Sequence, residues 1–464
     1  MFVRASRAIL QSQLVQTLAV RVLGVLLAFV STTVTARVLG PEQFGAWSAG
    51  LSLATLLAAL APLGMDRVLV RQLSVISNPA DRSAELSIAH RCAMRFGGLL
   101  LAVGVLAGLV CRLSGWGEWS ETLFLASLLL TPLTLTWLRQ WAAIPLVGTR
   151  LAVLPEQVLI PAGTIAVFLV LKWQQFPLSA MAAAVIFTGL STLIWAWTTL
   201  RGSLRPLYVL ALNSRQASSA DLRTRVGEGV RFLPMAIGPM LCQRITPLIV
   251  AASCGFEEIA HFSYALMITG IPAIPLGMLS LSLIPPLARM HHSNDTSGQQ
   301  RLVQNTATAS ALIAVVLSAL ILPFAPLIPR LLDPRYAPVP TLLPALLLAM
   351  LADCATGPTF SVMQTLGLER AYSRLLVTLV PLQMLLIFGF GSLASVQGAA
   401  IGYFAGRVIW NVGVVLVIHR TRGLLLLPSL RSLKSGWQRL QGNEVSAGVG
   451  MVTVTSETGL RRVA

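Results

Sequence analysis

Gly40-Pro41-Glu42-Gln43-Phe44-Gly45-Ala46-Trp47-Ser48 and, 215 residues later, Gly255-Phe256-Glu257-Glu258-Ile259-Ala260-His261-Phe262-Ser263 are one short pattern written twice. Gly40 aligns with Gly255, Glu42 with Glu257, Phe44 with Ile259, Gly45 with Ala260, Trp47 with Phe262 and Ser48 with Ser263. Each copy joins two long apolar runs. A second echo stands at a similar displacement, Leu146-Val147-Gly148-Thr149-Arg150 against Leu366-Gly367-Leu368-Glu369-Arg370. Two echoes in equivalent connections predict an internal duplication. Six apolar runs separate the members of each pair, so the halves share one orientation and are related by an axis along the membrane normal.

The runs themselves fall at 14–36, 43–64, 95–112, 121–143, 153–172, 177–200, 229–253, 262–287, 304–328, 339–362, 373–391 and 397–418. Each approaches the ~20 apolar residues that span a bilayer as a helix. Composition agrees: 55% of the 464 residues are hydrophobic and 11% charged, against ~25% charged in soluble domains. The mean hydropathy is +0.76. The expected fold class is an all-α polytopic membrane protein, with about twelve transmembrane helices in two parallel-repeat six-helix lobes around a central cavity. The N-terminal lobe is 1–200, a connecting loop 201–228, the C-terminal lobe 229–418, and a polar, basic, solvated, mobile tail 419–464. The first apolar run lacks a small-residue cleavage pattern behind it and is read as a retained span.

Orientation follows from the basic residues. With both termini cytoplasmic, 25 of the 34 Lys and Arg lie inside: two before the first span, sixteen on the inner connections and their flanks, and seven in the tail. The outer connections hold five, Arg37, Arg112, Lys172, Arg330 and Arg335. The net charge of +17 is therefore spread along the face toward an anionic leaflet, and membrane lipids rather than nucleic acid are its partners.

The inner connections hold no Gly-rich phosphate loop, nucleophile–base arrangement or metal-binding cluster. No enzyme activity, cofactor, metal or catalytic residue is expected. The five cysteines lie in or beside apolar runs without ligand spacing and read as small packed residues.

Thr33-Val34-Thr35-Ala36-Arg37-Val38-Leu39 leading into Gly40–Gly45, then Leu63-Gly64-Met65-Asp66 and Arg71, resemble the opening of the polysaccharide-transporter branch of the multidrug/oligosaccharidyl-lipid/polysaccharide exporter superfamily. Leu332-Asp333-Pro334-Arg335-Tyr336 and Gly367-Leu368-Glu369-Arg370 resemble its second-half landmarks. The likeness runs over roughly 10–420. It implies a two-lobed flippase of the bacterial inner membrane that moves oligosaccharides on undecaprenyl pyrophosphate by alternating access, for surface polysaccharide synthesis. It also implies partners: the lipid-linked oligosaccharide, a polysaccharide polymerase and glycosyltransferases. One departure stands out. The run Arg244-Ile245-Thr246-Pro247-Leu248 lacks the acid that often follows that Arg in the family, so no ion-coupling role carries over to span seven.

A charge near the bilayer centre costs about 2.5–3.5 kcal/mol on insertion scales. Arg231 stands at a span end and can snorkel. Arg21, Arg244 and Arg407 lie deeper, and with Gln243 they are the candidates for a cationic cavity that holds the cargo. Guanidinium forks match phosphate oxygens. Asp353, central in span ten, and the interfacial Glu156 are candidates for ion coupling or structural pairing. Asp353 could pair with Arg407 of its own half or with Arg244. Trp137 and Trp141 are either sugar contacts or interfacial anchors. Spans seven and eight carry seven prolines where spans one and two have only Pro62, which predicts the more bent gate in the second half. Two other readings fit the same architecture: a cation-coupled drug or small-molecule antiporter, and a non-transporting membrane component of a polysaccharide assembly complex.

Overall fold

The structure, a computed structural model, describes residues 2–201, 204–213 and 219–429. The tail expected over 419–464 lies outside the described residues from 430 onward. In chain order the first half contains α1 (Phe2–Leu60), α2 (Met65–Val75), α3 (Pro79–Leu113), α4 (Gly117–Val147), α5 (Thr149–Leu154), a π-helical turn (Pro155–Leu159), α6 (Ile160–Trp173) and α7 (Ala180–Leu200). Next come α8 (Arg205–Asn213), α9 (Ser219–Cys254), α10 (Phe256–Thr269), a 3₁₀ turn (Ile271–Ala273), α11 (Ile274–His292) and α12 (Thr296–Phe324). The chain ends with α13 (Ile328–Leu331), α14 (Val339–Thr356), α15 (Thr359–Thr365) and α16 (Glu369–Arg422). No strand occurs among the described residues. A spanning segment must satisfy every backbone group internally, and α-helices do so.

Nine of these segments are long and apolar enough to cross a membrane. Two of the nine are double. α1 turns at Gly40 (φ 73, ψ 170), and α16 breaks at Ala394 and Ser395 (φ 53). These breaks separate expected spans one from two and eleven from twelve. The apolar half of α9, Met240–Cys254, supplies span seven, so the expected set of twelve is accounted for.

The breaks repeat between halves. Gly255 has φ 98 and ψ 171, the same extended positive-φ geometry as Gly40. Gln175 (φ 56), between α6 and α7, answers Ser395 (φ 53) 220 residues later. The duplicated sequence pattern thus marks a duplicated backbone turn. Glycine suits it because a side chain at positive φ is strained.

Within the C-terminal lobe, Gly398, Gly402 and Gly406 lie four apart on one face of α16. A Cβ on them would stand 1.9 Å from Phe390 O, 2.5 Å from Leu386 O and 2.5 Å from Gln383 Cγ. The two arms of α16 therefore pack backbone to backbone. Dispersion between such small-residue faces, rather than hydrophobicity, holds helices together in lipid.

Three expectations change. The inner loop expected around 66–94 is mostly helix, α2 and the first turns of α3, joined at the Asn78 cap, whose side chain accepts from Ala80 N at 3.1 Å. The connector at 201–228 contains α8 and the first turns of α9, because spanning helices continue past the hydrocarbon. The tail's first residues are docked rather than solvated. Leu424 and Leu426 are buried, and Leu425 exchanges two 2.9 Å hydrogen bonds between its backbone and the Gln300 amide. Span eight is broken, as its prolines suggest, by the 3₁₀ turn at Pro272.

Candidate functional site

The end of the bundle that the charge bias assigns to the outside is closed. Tyr336 Oη donates to the backbone oxygen of Ala36 at 3.1 Å, and Thr33 Oγ1 meets Tyr264 Oη at 3.1 Å. α1 and α10 touch at Gly45, where a Cβ would stand 2.0 Å from Phe256 O. Arg335 lies over Gly40, 3.0 Å from the position a Cβ would take.

The turn that delivers Tyr336 is itself pinned. Asp333 accepts from the Arg335 backbone N–H at 2.9 Å and from its Nε at 3.1 Å. These donors, the side-chain ones first, hold the Asp333 carboxyl below the usual carboxylate range. From α10, His261 Nε2 lies 3.0 Å from Arg335 O. A carbonyl only accepts, so that nitrogen is the donor. His261 Nδ1 faces Glu258 at 3.0 Å, and the ring stands edge-on to Tyr336, centroids 5.8 Å apart.

Beneath this closure lies a cavity of about 440 Å³ between the lobes. α1 contributes Thr32, Trp47, Ser48 and Ser52, spaced so that 48 and 52 share a face. α9 contributes Gln243 and Arg244, and α16 contributes Tyr403. No acidic side chain is among the described lining residues. The arginines in ion pairs among the described residues are Arg67, Arg71, Arg225, Arg335 and Arg407. Arg244 is in none of them.

The other expected charges separate from this cavity. Arg407 Nε donates to both carboxylate oxygens of Asp353 at 3.1 Å, and its Nη2 reaches Oδ2. Asn411 Nδ2 donates to Asp353 Oδ1 at 2.6 Å, and Thr356 hydrogen-bonds Asn411 at 2.8 Å. Asp353 therefore pairs with Arg407 and not with Arg244, which corrects the cross-pairing considered from sequence. The reason is helical phase: 353 on α14 faces 407 and 411 on adjacent α16.

Glu156 is not interfacial. It sits in the π-helical turn, two turns inside the span Thr149–Trp173, with Oε2 buried and unpartnered. It lies within electrostatic range of Arg244 across the lobes, without a salt bridge between the two. Arg21 stands one helical turn from Gly24, which packs against Gln157. Its Nε is buried without a partner. Trp137 and Trp141 meet edge to face, centroids 6.0 Å apart, with Arg67 over Trp141 at 4.0 Å. They cluster at the end of the first lobe that the charge bias assigns to the inside.

The fold has known counterparts. An inward-facing multidrug resistance MATE family transporter of the MOP superfamily superposes with a TM-score of 0.71 at 15% identity, covering 89% of this chain and 98% of that one. The fold is that of the MATE transporters. An outward-facing MATE transporter gives a TM-score of 0.60 at 17% identity over 89% and 95% of the two chains. A MOP superfamily transporter from Pyrococcus furiosus, described as having a binding pocket of reverse polarity and a suggested different function, gives 0.59 at 14% over 89% and 94%. No protein-family model matches the sequence, and no curated protein is significantly similar to it. With the MATE fold in place, the cavity lies between its two lobes.

Sequence reading missed Trp47, Ser48, Ser52 and Tyr403 as cavity residues, and Asn411 as the third member of the Asp353 cluster. A signal for the last two existed. Tyr403, Arg407 and Asn411 recur every four residues along an otherwise apolar span, which puts polar groups on one face.

Proposed function

We propose that this protein is a flippase for an anionic lipid-linked oligosaccharide, working by alternate closure of its outer and inner ends. One observation carries the reading. The interlobe cavity offers a guanidinium in no ion pair, several hydroxyls and three aromatic rings, Phe44, Trp47 and Tyr403, and no carboxylate among its described lining residues. Arg244 is suited to phosphate oxygens by charge and forked geometry, and hydroxyls and ring faces are suited to sugars. A cation cargo would face the opposite polarity. The undecaprenyl pyrophosphate carrier, the bacterial inner membrane, the cytoplasmic termini and the polymerase and glycosyltransferase partners belong to the same proposal, supported by the landmark motifs and the charge bias.

The second reading, a cation-coupled drug antiporter, draws on the structural likeness to multidrug MATE transporters and on the buried Glu156 near Arg244. Proteoliposomes separate the two. A lipid-linked oligosaccharide labelled in its sugar is placed in the outer leaflet, and its protection from an impermeant glycosidase is followed. Protein-dependent protection that disappears in Arg244→Ala supports the flippase. Uptake of a lipophilic cation with no effect on the oligosaccharide would replace it with the antiporter.

A further inference from the structure

At the inner end of the first lobe, well away from the interlobe cavity, a second pocket of about 230 Å³ opens between α4, α5 and α7. Arg139 forms its floor. That side chain is only 6% exposed. One of its nitrogens, Nη1, donates to Ala152 O at 3.4 Å, while Nε is buried with no partner. Arg201, at the C-terminal cap of α7, stands exposed at the rim. Neither is in an ion pair among the described residues.

The shape is local in origin. Gly148 (φ 83) ends α4 and turns the chain back into the short α5. The α5 carbonyl at Ala152 then accepts from Arg139, whose side chain lines the pocket. The remaining walls are apolar apart from Thr198, whose hydroxyl donates to Ile194 O at 2.7 Å. Leu154 and Pro155 close one side, and Leu151 and Trp197, 51% and 56% exposed, flank the mouth. These two face the lipid, and Trp prefers the headgroup level.

A buried, half-satisfied guanidinium is costly unless an anion completes it. Two forked donors above apolar walls open to lipid match a phosphate that carries acyl chains. Basic pockets between spanning helices on the cytoplasmic side are suited to such headgroups. The pocket is about half the volume of the interlobe cavity, a size suited to a phosphate and its glycerol. We infer that Arg139 and Arg201 form a phosphate-binding site that holds the headgroup of one anionic phospholipid of the inner leaflet against the first lobe. The site is separate from the cargo cavity, and the inference does not rest on the flippase reading.

The test uses the full-length protein, delipidated in detergent. Dioleoyl phosphatidylglycerol, a neutral galactolipid of the same chains and inorganic phosphate are titrated separately. Occupancy is read by native mass spectrometry and thermal unfolding. Phosphatidylglycerol is expected to bind one molecule saturably and raise the unfolding temperature, and the galactolipid is not. Arg201→Gln, at an exposed position that leaves the fold intact, should weaken that binding at least tenfold, and Arg201→Lys should restore part of it. Arg139→Gln should abolish it where the variant folds. Unaltered lipid binding in Arg201→Gln, or equal binding of the galactolipid, would overturn the site. A shift with inorganic phosphate equal to that with the lipid would overturn the lipid assignment in favour of a free phosphate. Loss of the bound lipid in Arg244→Gln, with Arg201→Gln unaffected, would place it in the central cavity and refute the inference.

Discussion

The phenol of Tyr336 reaches across the two lobes to the backbone oxygen of Ala36, 300 residues earlier in the chain, at 3.1 Å. Tyr336 is fully buried, and its hydroxyl makes no other hydrogen bond among the described residues. A net hydrogen bond is worth about 0.5–1.5 kcal/mol. Tyr336→Phe should therefore shift the closed outer end toward opening by roughly two- to tenfold. The readout is the labelling rate of Ser48→Cys, in a background without the five native cysteines, by an impermeant maleimide added from outside. An unchanged rate would mean that this bond does not hold the outer end shut.

Gly45 tests the same closure by shape. A Cβ there would stand 2.0 Å from Phe256 O, a backbone atom that cannot step aside. Gly45→Ala should leave the protein inserted and folded but unable to close its outer end, with transport reduced to background. Gly98→Ala is the control, since nothing lies within 4 Å of its added carbon. Equal transport by the two variants would contradict the closure.

The Asp353–Arg407 pair is enclosed, with side-chain exposures of 13% and 17%. Breaking a buried pair by removing one partner costs about 3–5 kcal/mol, while replacing both with apolar residues is often tolerated. Asp353→Asn and Arg407→Gln should each lower the unfolding temperature and the yield of folded protein. The double variant Asp353→Leu with Arg407→Met should recover most of both and still transport. A stable double variant with no transport would show instead that the pair belongs to the transport machinery.

Arg244 should behave differently. Arg244→Ala is expected to abolish transport with little loss of folded protein, and Arg244→Lys to retain part of it, because Lys keeps the charge and loses the fork. In double-variant cycles, Arg244→Ala should couple to Glu156→Gln, whose charge it faces, and be additive with Asp353→Asn. Strong coupling to Asp353 and none to Glu156 would mean that the pairing described above is not the working one.

The Asp333–Tyr336 turn adds a pH dependence. Asp333 is held below the usual carboxylate range by Arg335, so it binds its proton less readily in the folded turn than in an unfolded chain. Its contribution to the turn is present above the ordinary carboxylate value of about 4, and it is lost as the pH falls below that through the depressed value. The Ser48→Cys labelling rate, divided at each pH by that of a free thiol because only the thiolate reacts, should stay constant from pH 7 to about 5 and rise only under stronger acidification. Asp333→Asn should show the raised rate already at pH 7.

The sequence by itself determined the membrane, the number of spans and the two-lobed duplication. Those depend on properties summed along a chain segment: apolar length, the distribution of basic residues, and a glycine turn repeated at Gly40 and Gly255. It also marked Arg21, Arg244, Arg407, Asp353 and Glu156, because a charge in an apolar run is conspicuous wherever it faces. Which of these charges meet was decided only by tertiary structure. Pairing depends on the rotation of each helix about its axis and on the breaks that reset that rotation, the π-helical turn before α6 and the 3₁₀ turn before α11 among them. Those settings put Asp353 against Arg407, turned Glu156 inward toward Arg244, and left Arg244 free to line the cavity. Ser52 carries no mark in the sequence, and Trp47 and Ser48 are marked there only as members of the repeated turn, not as cavity residues. They became cavity residues only because the backbone contact at Gly45 sets α1 against α10.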